Sequence, residues 1–176
     1  MPTTAPITAI IAPVPEAQSL VGDLRVRFDD TTALGVPPHV TILAPFMAPE
    51  AVTHEVLASL REAISSVKAF RFTLTGARRW PEAAWLAPEP ATSFVELICN
   101  VVSRFPAFPP YEGRHDKIIP HLTVAHGSHE AADLAEAELQ TLLREKGPIQ
   151  AFCGHLSLLE NSSGKWKKIL DLPLAT

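Results

Sequence analysis

Two five-residue stretches, Pro38-His39-Val40-Thr41-Ile42 and Pro120-His121-Leu122-Thr123-Val124, follow one pattern of Pro, His, apolar, Thr, apolar. Histidine is the side chain suited to taking and giving a proton near neutral pH, because its unperturbed pKa lies at about 6.5. A threonine hydroxyl donates a hydrogen bond to an oxyanion. Two imidazoles and two hydroxyls gathered round one tetrahedral group therefore suit a phosphate ester: the hydroxyls bind non-bridging oxygens, one imidazole accepts a proton and the other supplies one. A single His-x-Thr is expected about half a time by chance in such a chain and would mean little. Two copies inside matching Pro and apolar brackets point to a repeated unit.

The pattern also says what must hold these groups. In an extended strand alternate side chains share a face, so each His and its Thr stand roughly 6.5 to 7 Å apart on one side. Val40 and Ile42, like Leu122 and Val124, then turn to a core. Before the first motif, residues 7–12 read as a buried strand ending at Pro13 and Pro15, and Ala17, Leu20, Val21, Leu24 and Phe28 mark an amphipathic helix that stops before a polar loop at 29–32. After it, Val52, Val56, Leu60, Ile64 and Val67 mark a second helix, and Phe70, Phe72 and Leu74 alternate as a strand.

The second half repeats this order. Residues 84–87 are strand-like and run into Ala87-Pro88-Glu89-Pro90, an echo of Ala12-Pro13-Val14-Pro15. Phe94, Leu97, Ile98, Val101, Val102 and Phe105 form a helical stripe halted by Pro106 and a Pro-rich loop at 106–119. Beyond the second motif, Ser128 is the N-cap of a helix ended by Gly147-Pro148. Residues 149–159 read as one strand, and Trp166, Ile169 and Leu170 begin a last strand over about 165–174, folding back as a hairpin. We therefore expect an α+β fold, a single bilobal domain over 1–176 with pseudo-repeats near 6–80 and 82–159. Its two antiparallel sheets face one another across a central cleft, with helices on the outer faces.

Composition narrows the partners. With 47% hydrophobic and 19% charged residues, the 176-residue chain has enough apolar content for a sizeable core. A formal net charge of −4 provides no global basic field for DNA, whereas a small phosphate-containing ligand, a nucleotide or a short RNA end is readily accommodated. Cys99 and Cys153 sit in apolar stretches without metal spacing, so reduced, packed thiols and a cytoplasmic location are expected. No apolar run is long enough for a membrane span, and a monomer is expected.

The paired motifs, about eighty residues apart in a chain of this size, resemble the 2H phosphoesterase superfamily. The similarity extends over most of the chain and is nearest to its 2'-5' RNA ligase-like branch, which includes RNA 2',3'-cyclic phosphodiesterases. It implies a metal-independent phosphodiesterase acting on a 2',3'-cyclic phosphate or related phosphodiester, without cofactor. It also implies that His39 and His121 are the acid-base pair and that Thr41 and Thr123 orient the phosphate. RNA joining by the 2'-5' ligase reaction is the variant of that chemistry. A non-catalytic protein that merely holds a phosphorylated ligand is the rival class, but Lys or Arg would serve it as well as paired His.

Weaker candidates surround the motifs. Arg78 and Arg79, Tyr111 and Arg114 are possible substrate-binding groups, and Trp80, Trp85 and Tyr111 are possible stacking surfaces for a base. His115, His126 and His129 flank the second motif without the regular spacing of a metal pair, so no metal site is expected. Lys165-Trp166-Lys167-Lys168 fits protection of an edge strand better than a phosphate patch.

Overall fold

The computed structural model describes residues 5–114 and 117–176. In chain order these form β1 (Thr8–Pro13), α1 (Gln18–Phe28), β2 (His39–Leu43), α2 (His54–Ile64), β3 (Phe70–Trp80), β4 (Ala83–Glu89), α3 (Thr92–Arg104), β5 (Leu122–His126), α4 (His129–Lys146), β6 (Ile149–Cys153), β7 (His155–Glu160) and β8 (Lys167–Pro173). The strands make two antiparallel sheets, ordered β2-β1-β7-β8 and β5-β4-β3-β6, so the fold is the expected α+β arrangement of two sheets. None of the helices is long and apolar enough to cross a membrane, among the described residues.

Local chemistry explains the helix limits. Thr53 accepts from the Val56 N–H at the start of α2, and Ser128 accepts from the Ala131 N–H at the start of α4, each satisfying a donor the helix leaves open. α4 stops at Gly147, whose φ of 79° is open to glycine and strained for other residues. Along α3, Phe94, Leu97, Ile98 and Val101 are buried at helical spacing, and Phe94 meets Phe70 and Phe72 edge-on with ring centroids 4.9 Å apart in each case.

Three expectations need correction. Residues 149–159 are two strands in different sheets, because Gly154 lets the chain leave β6 and enter β7; a Cβ there would lie 3.0 Å from the Phe152 ring. Arg78 and Arg79, expected to follow the strand of Phe70, Phe72 and Leu74 at the seam between the halves, lie inside β3, which runs on to Trp80 as the partner of β4. Cys99 is exposed on α3, whereas Cys153 is buried and desolvation pushes its thiol up to about 12.

The two halves of the sequence and the two sheets do not coincide. β3 closes the first half yet pairs with β4 and β6, while β7 comes late in the chain and pairs with β1. The first helix of each half crosses over as well: α1 packs on β5 and α3 packs on β2. Each motif strand therefore has its apolar side covered by a helix from the other half. β8 forms an outer edge of its sheet, and its exposed Lys167 and Lys168 discourage further strand addition there.

Candidate functional site

β2 and β5 occupy matching edge positions in their sheets and touch one another where the lobes meet. Val40, Ile42, Leu122 and Val124 are buried to within about 1% of their surface, and His39, Thr41, His121 and Thr123 on the alternate positions are half-buried. Pro38 and Pro120 are both buried immediately before the histidines. They leave His39 as the first residue of β2 and His121 just ahead of β5.

Both imidazoles are held in the same way. Nδ1 of His39 lies 2.8 Å from the Pro37 carbonyl oxygen, and Nδ1 of His121 lies 2.8 Å from that of Ile119. A carbonyl oxygen only accepts, so each Nδ1 carries the proton and, in the neutral ring, Nε2 is the basic nitrogen. His39 Nε2 stands 3.2 Å from the Thr41 hydroxyl, which donates to it. Burial out of water lowers the His39 pKa to about 4, with further lowering from Arg25 and His121 and opposition from the Pro37 carbonyl and Asp29. At pH 7 the resting His39 is neutral.

Thr41, His121 and Thr123 line a cavity of about 800 Å³ whose wall also includes Trp80, Glu82, Tyr111, Lys117, Ile118, Ile119 and His126. His121 stands in an aromatic box. Trp80 and Trp85 meet it edge-on at centroid distances of 4.7 and 5.7 Å, and Tyr111 stacks on it at 6.1 Å with 27° between the planes. The tryptophans and Tyr111, considered first as base-stacking surfaces, thus lie against the second motif's imidazole. Lys117 and Glu82 also line the cavity but were missed in the sequence, where a lysine beside a Pro-rich loop and a glutamate in a turn carry no pattern.

The remaining candidates go elsewhere. Strand alternation separates the arginine pair: Arg78 pairs with Trp85, itself the partner of Thr123, while Arg79 pairs with Ala84, itself the partner of Ala125. Arg78 is therefore exposed on the sheet face that carries Thr123, outside the cavity wall. Arg79 turns to α4, bonding to Asp133 and to the His129 carbonyl, so it is a tether between strand and helix. Arg114 is exposed, 2.8 Å from Glu112, and does not line the cavity. His115 lies outside the described residues. His129 sits at the start of α4, with Nδ1 2.9 Å from the Pro81 carbonyl. Among the described residues no three His, Cys, Asp or Glu side chains converge as metal ligands.

Two packing devices fix the motifs relative to one another. Phe46, just past β2, meets Phe105 and Phe108 edge-on at 5.2 and 5.1 Å, and the Tyr111 N–H donates to the Ala44 carbonyl at 3.0 Å. The approach to the second motif is thereby pinned to the exit from the first. On the other side, Arg25 of α1 is only 2% exposed; its guanidinium reaches Asp29 at 3.2 Å and the Val36 carbonyl at 3.0 Å, fixing the segment that enters β2.

A family model described as the 2'-5' RNA ligase superfamily matches residues 13–165. A search of curated proteins finds no match. Among solved structures, E. coli LigT complexed with 3'-AMP is similar at 15% identity with a TM-score of 0.67, covering 98% of this chain and 100% of that one. E. coli LigT complexed with ATP matches at 17% identity and 0.63, with the same coverage. TT0787 of Thermus thermophilus matches at 14% identity and 0.58, covering 95% of this chain and 97% of that one. At these identities the likeness to the solved structures is one of fold.

Proposed function

The chain belongs to the 2'-5' RNA ligase superfamily of 2H phosphoesterases, and from that premise we propose that it hydrolyses a 2',3'-cyclic phosphate, or a related phosphodiester, on a nucleotide or RNA end. The observation that carries this reading is the matched anchoring of His39 and His121 through Nδ1, with a threonine two residues on from each. His39, neutral at rest, takes a proton from water through Nε2 as the water oxygen attacks phosphorus. The bond from phosphorus to one ribose oxygen breaks, and His121 gives that oxygen its proton. The product is a monoester, and solvent exchange restores both rings. Thr41 and Thr123 donate hydrogen bonds to the non-bridging oxygens as charge builds there. When a ribose hydroxyl replaces water, the same exchange of protons joins RNA ends.

The ligands seen with E. coli LigT, 3'-AMP and ATP, support a nucleotide-sized substrate. A cavity of about 800 Å³ suits one, and lysine at 117 is its one lysine or arginine among the described lining residues. A long polyanion would ask for more cations along its path.

The experiment is a panel of 2',3'-cyclic nucleotides and cyclic-phosphate-ended oligonucleotides, assayed with EDTA, alongside a joining assay with 5'-hydroxyl RNA. Chelator-resistant ring opening is expected. Activity that EDTA abolishes would replace this reading with a metal hydrolase, and tight nucleotide binding without turnover would replace it with a binding protein.

Thr41→Val and Thr123→Val remove a donor while keeping the shape of the side chain. Each is expected to lower kcat by roughly 10- to 1000-fold, as for loss of one transition-state hydrogen bond. Wild-type turnover in both folded variants would take the threonines out of the mechanism.

A further inference from the structure

Tyr111 lies between the motifs. Its ring stacks on His121 of the second motif, its hydroxyl hydrogen-bonds with the Thr41 side chain of the first, and its backbone N–H is held by Ala44 just beyond β2. The backbone there is strained: Tyr111 has φ 50° and ψ 35° and Glu112 has φ 56° and ψ 27°, left-handed values rarely adopted by residues with a Cβ. Such a conformation persists only where surrounding contacts over-determine it. Here those contacts run to both motifs.

We propose that Tyr111 is a positioning residue that couples the two His-x-Thr motifs, setting the direction of the Thr41 hydroxyl and the plane of the His121 imidazole. The inference rests on reading the motifs as one catalytic site. Thr41 has one proton and two lone pairs, and it serves both His39 Nε2, 3.2 Å away, and the Tyr111 phenol. With the phenol donating into one lone pair, the Thr41 proton turns away from Tyr111. It rests on His39 in the empty site and swings to the phosphate when substrate arrives. A chain of hydroxyls of this kind also polarises each successive bond. The Tyr111 ring closes the third side of the box that Trp80 and Trp85 begin, so the His121 ring keeps its plane while protonated and while neutral.

Two variants separate the hydroxyl from the ring. Tyr111→Phe keeps the stacked ring, and it is expected to lower kcat roughly 10-fold with KM nearly unchanged, and to lower it no further in a Thr41→Val background. Tyr111→Leu removes the ring as well and is expected to move the basic limb of the pH–rate profile, which Tyr111→Phe leaves in place. Additive losses in the Thr41 cycle, or wild-type kcat in Tyr111→Phe, would overturn the coupling. NMR of the His39 ring signals supplies a readout independent of turnover. Tyr111→Phe is expected to shift these signals, and the shift should vanish when Thr41 is already Val. If His39 responds in this way while the wild type opens no cyclic phosphate, the proposed function fails and the coupling stands. Unchanged His39 signals in Tyr111→Phe would overturn the coupling whatever the activity.

Discussion

Replacing His39 or His121 by Ala is expected to lower kcat by roughly 100- to 10,000-fold, the range of a positioned general acid or base. The double variant should lose little beyond either single one, because the two imidazoles act within one transition state and their effects are not additive. Full activity in the double variant would remove both from the chemistry. The division of labour has its own test: a nitrophenyl phosphodiester has a leaving group that needs no proton, so it should recover rate in His121→Ala and not in His39→Ala. Recovery in the opposite variant would exchange the two roles.

The pH profile follows from the same geometry. His39 must be neutral to accept, and its pKa in the empty site is lowered to about 4, so kcat/KM is expected to hold down to mildly acidic pH and to fall as pH drops through that value. The basic limb should come from loss of the His121 proton. Because the rings feel one another, the two limbs belong to the pair. A single limb in place of a bell would contradict the acid-base scheme.

The largest expected loss of stability comes from a residue outside the cavity. Arg25→Met should cost about 3–5 kcal/mol in urea unfolding, because it strands the Asp29 carboxylate, 5% exposed, without its counter-charge. Asp29 also accepts from the Thr31 N–H and hydroxyl at 3.1 and 2.7 Å, so it is kept in place even after its partner is lost. Adding Asp29→Asn to Arg25→Met removes the buried charge and should recover part of the loss. Equal stability of Arg25→Met and wild type would show that the pair contributes nothing. The double variant being no better than Arg25→Met would trace the cost instead to the lost bond with the Val36 carbonyl.

Much of the arrangement was legible in the sequence because period and punctuation are local signals. The alternation of His39 and Thr41 against Val40 and Ile42 defined a half-buried strand, and Ser128 with Gly147-Pro148 bounded α4. Other features depend on partners distant in sequence. Whether residues 149–159 formed one strand or two depended on which sheets lay on either side of Gly154. Arg79 followed its neighbour Arg78 in sequence, but the strand's two-residue period sent it to α4. Nothing local to α1 marked Arg25 as buried, because what covers it is the loop at 29–36. Tyr111 gave no sign of its left-handed backbone, since that conformation is common for Gly and Asn and unfavoured for Tyr.

The placement of β3 and β7 has a consequence for the origin and integrity of the site. A polypeptide ending after β3 would carry one His-x-Thr, a strand left over and a sheet short of its third member. Two copies that traded this strand would complete each other's sheets about a two-fold axis and bring a pair of identical motifs together on it. Strands β1 to β5 and β7 therefore connect as two such copies would if fused end to end, with β6 and β8 of the second half added at the outer edges. Severing it between residues 80 and 83 should yield fragments that regain the cleft only by reassociating.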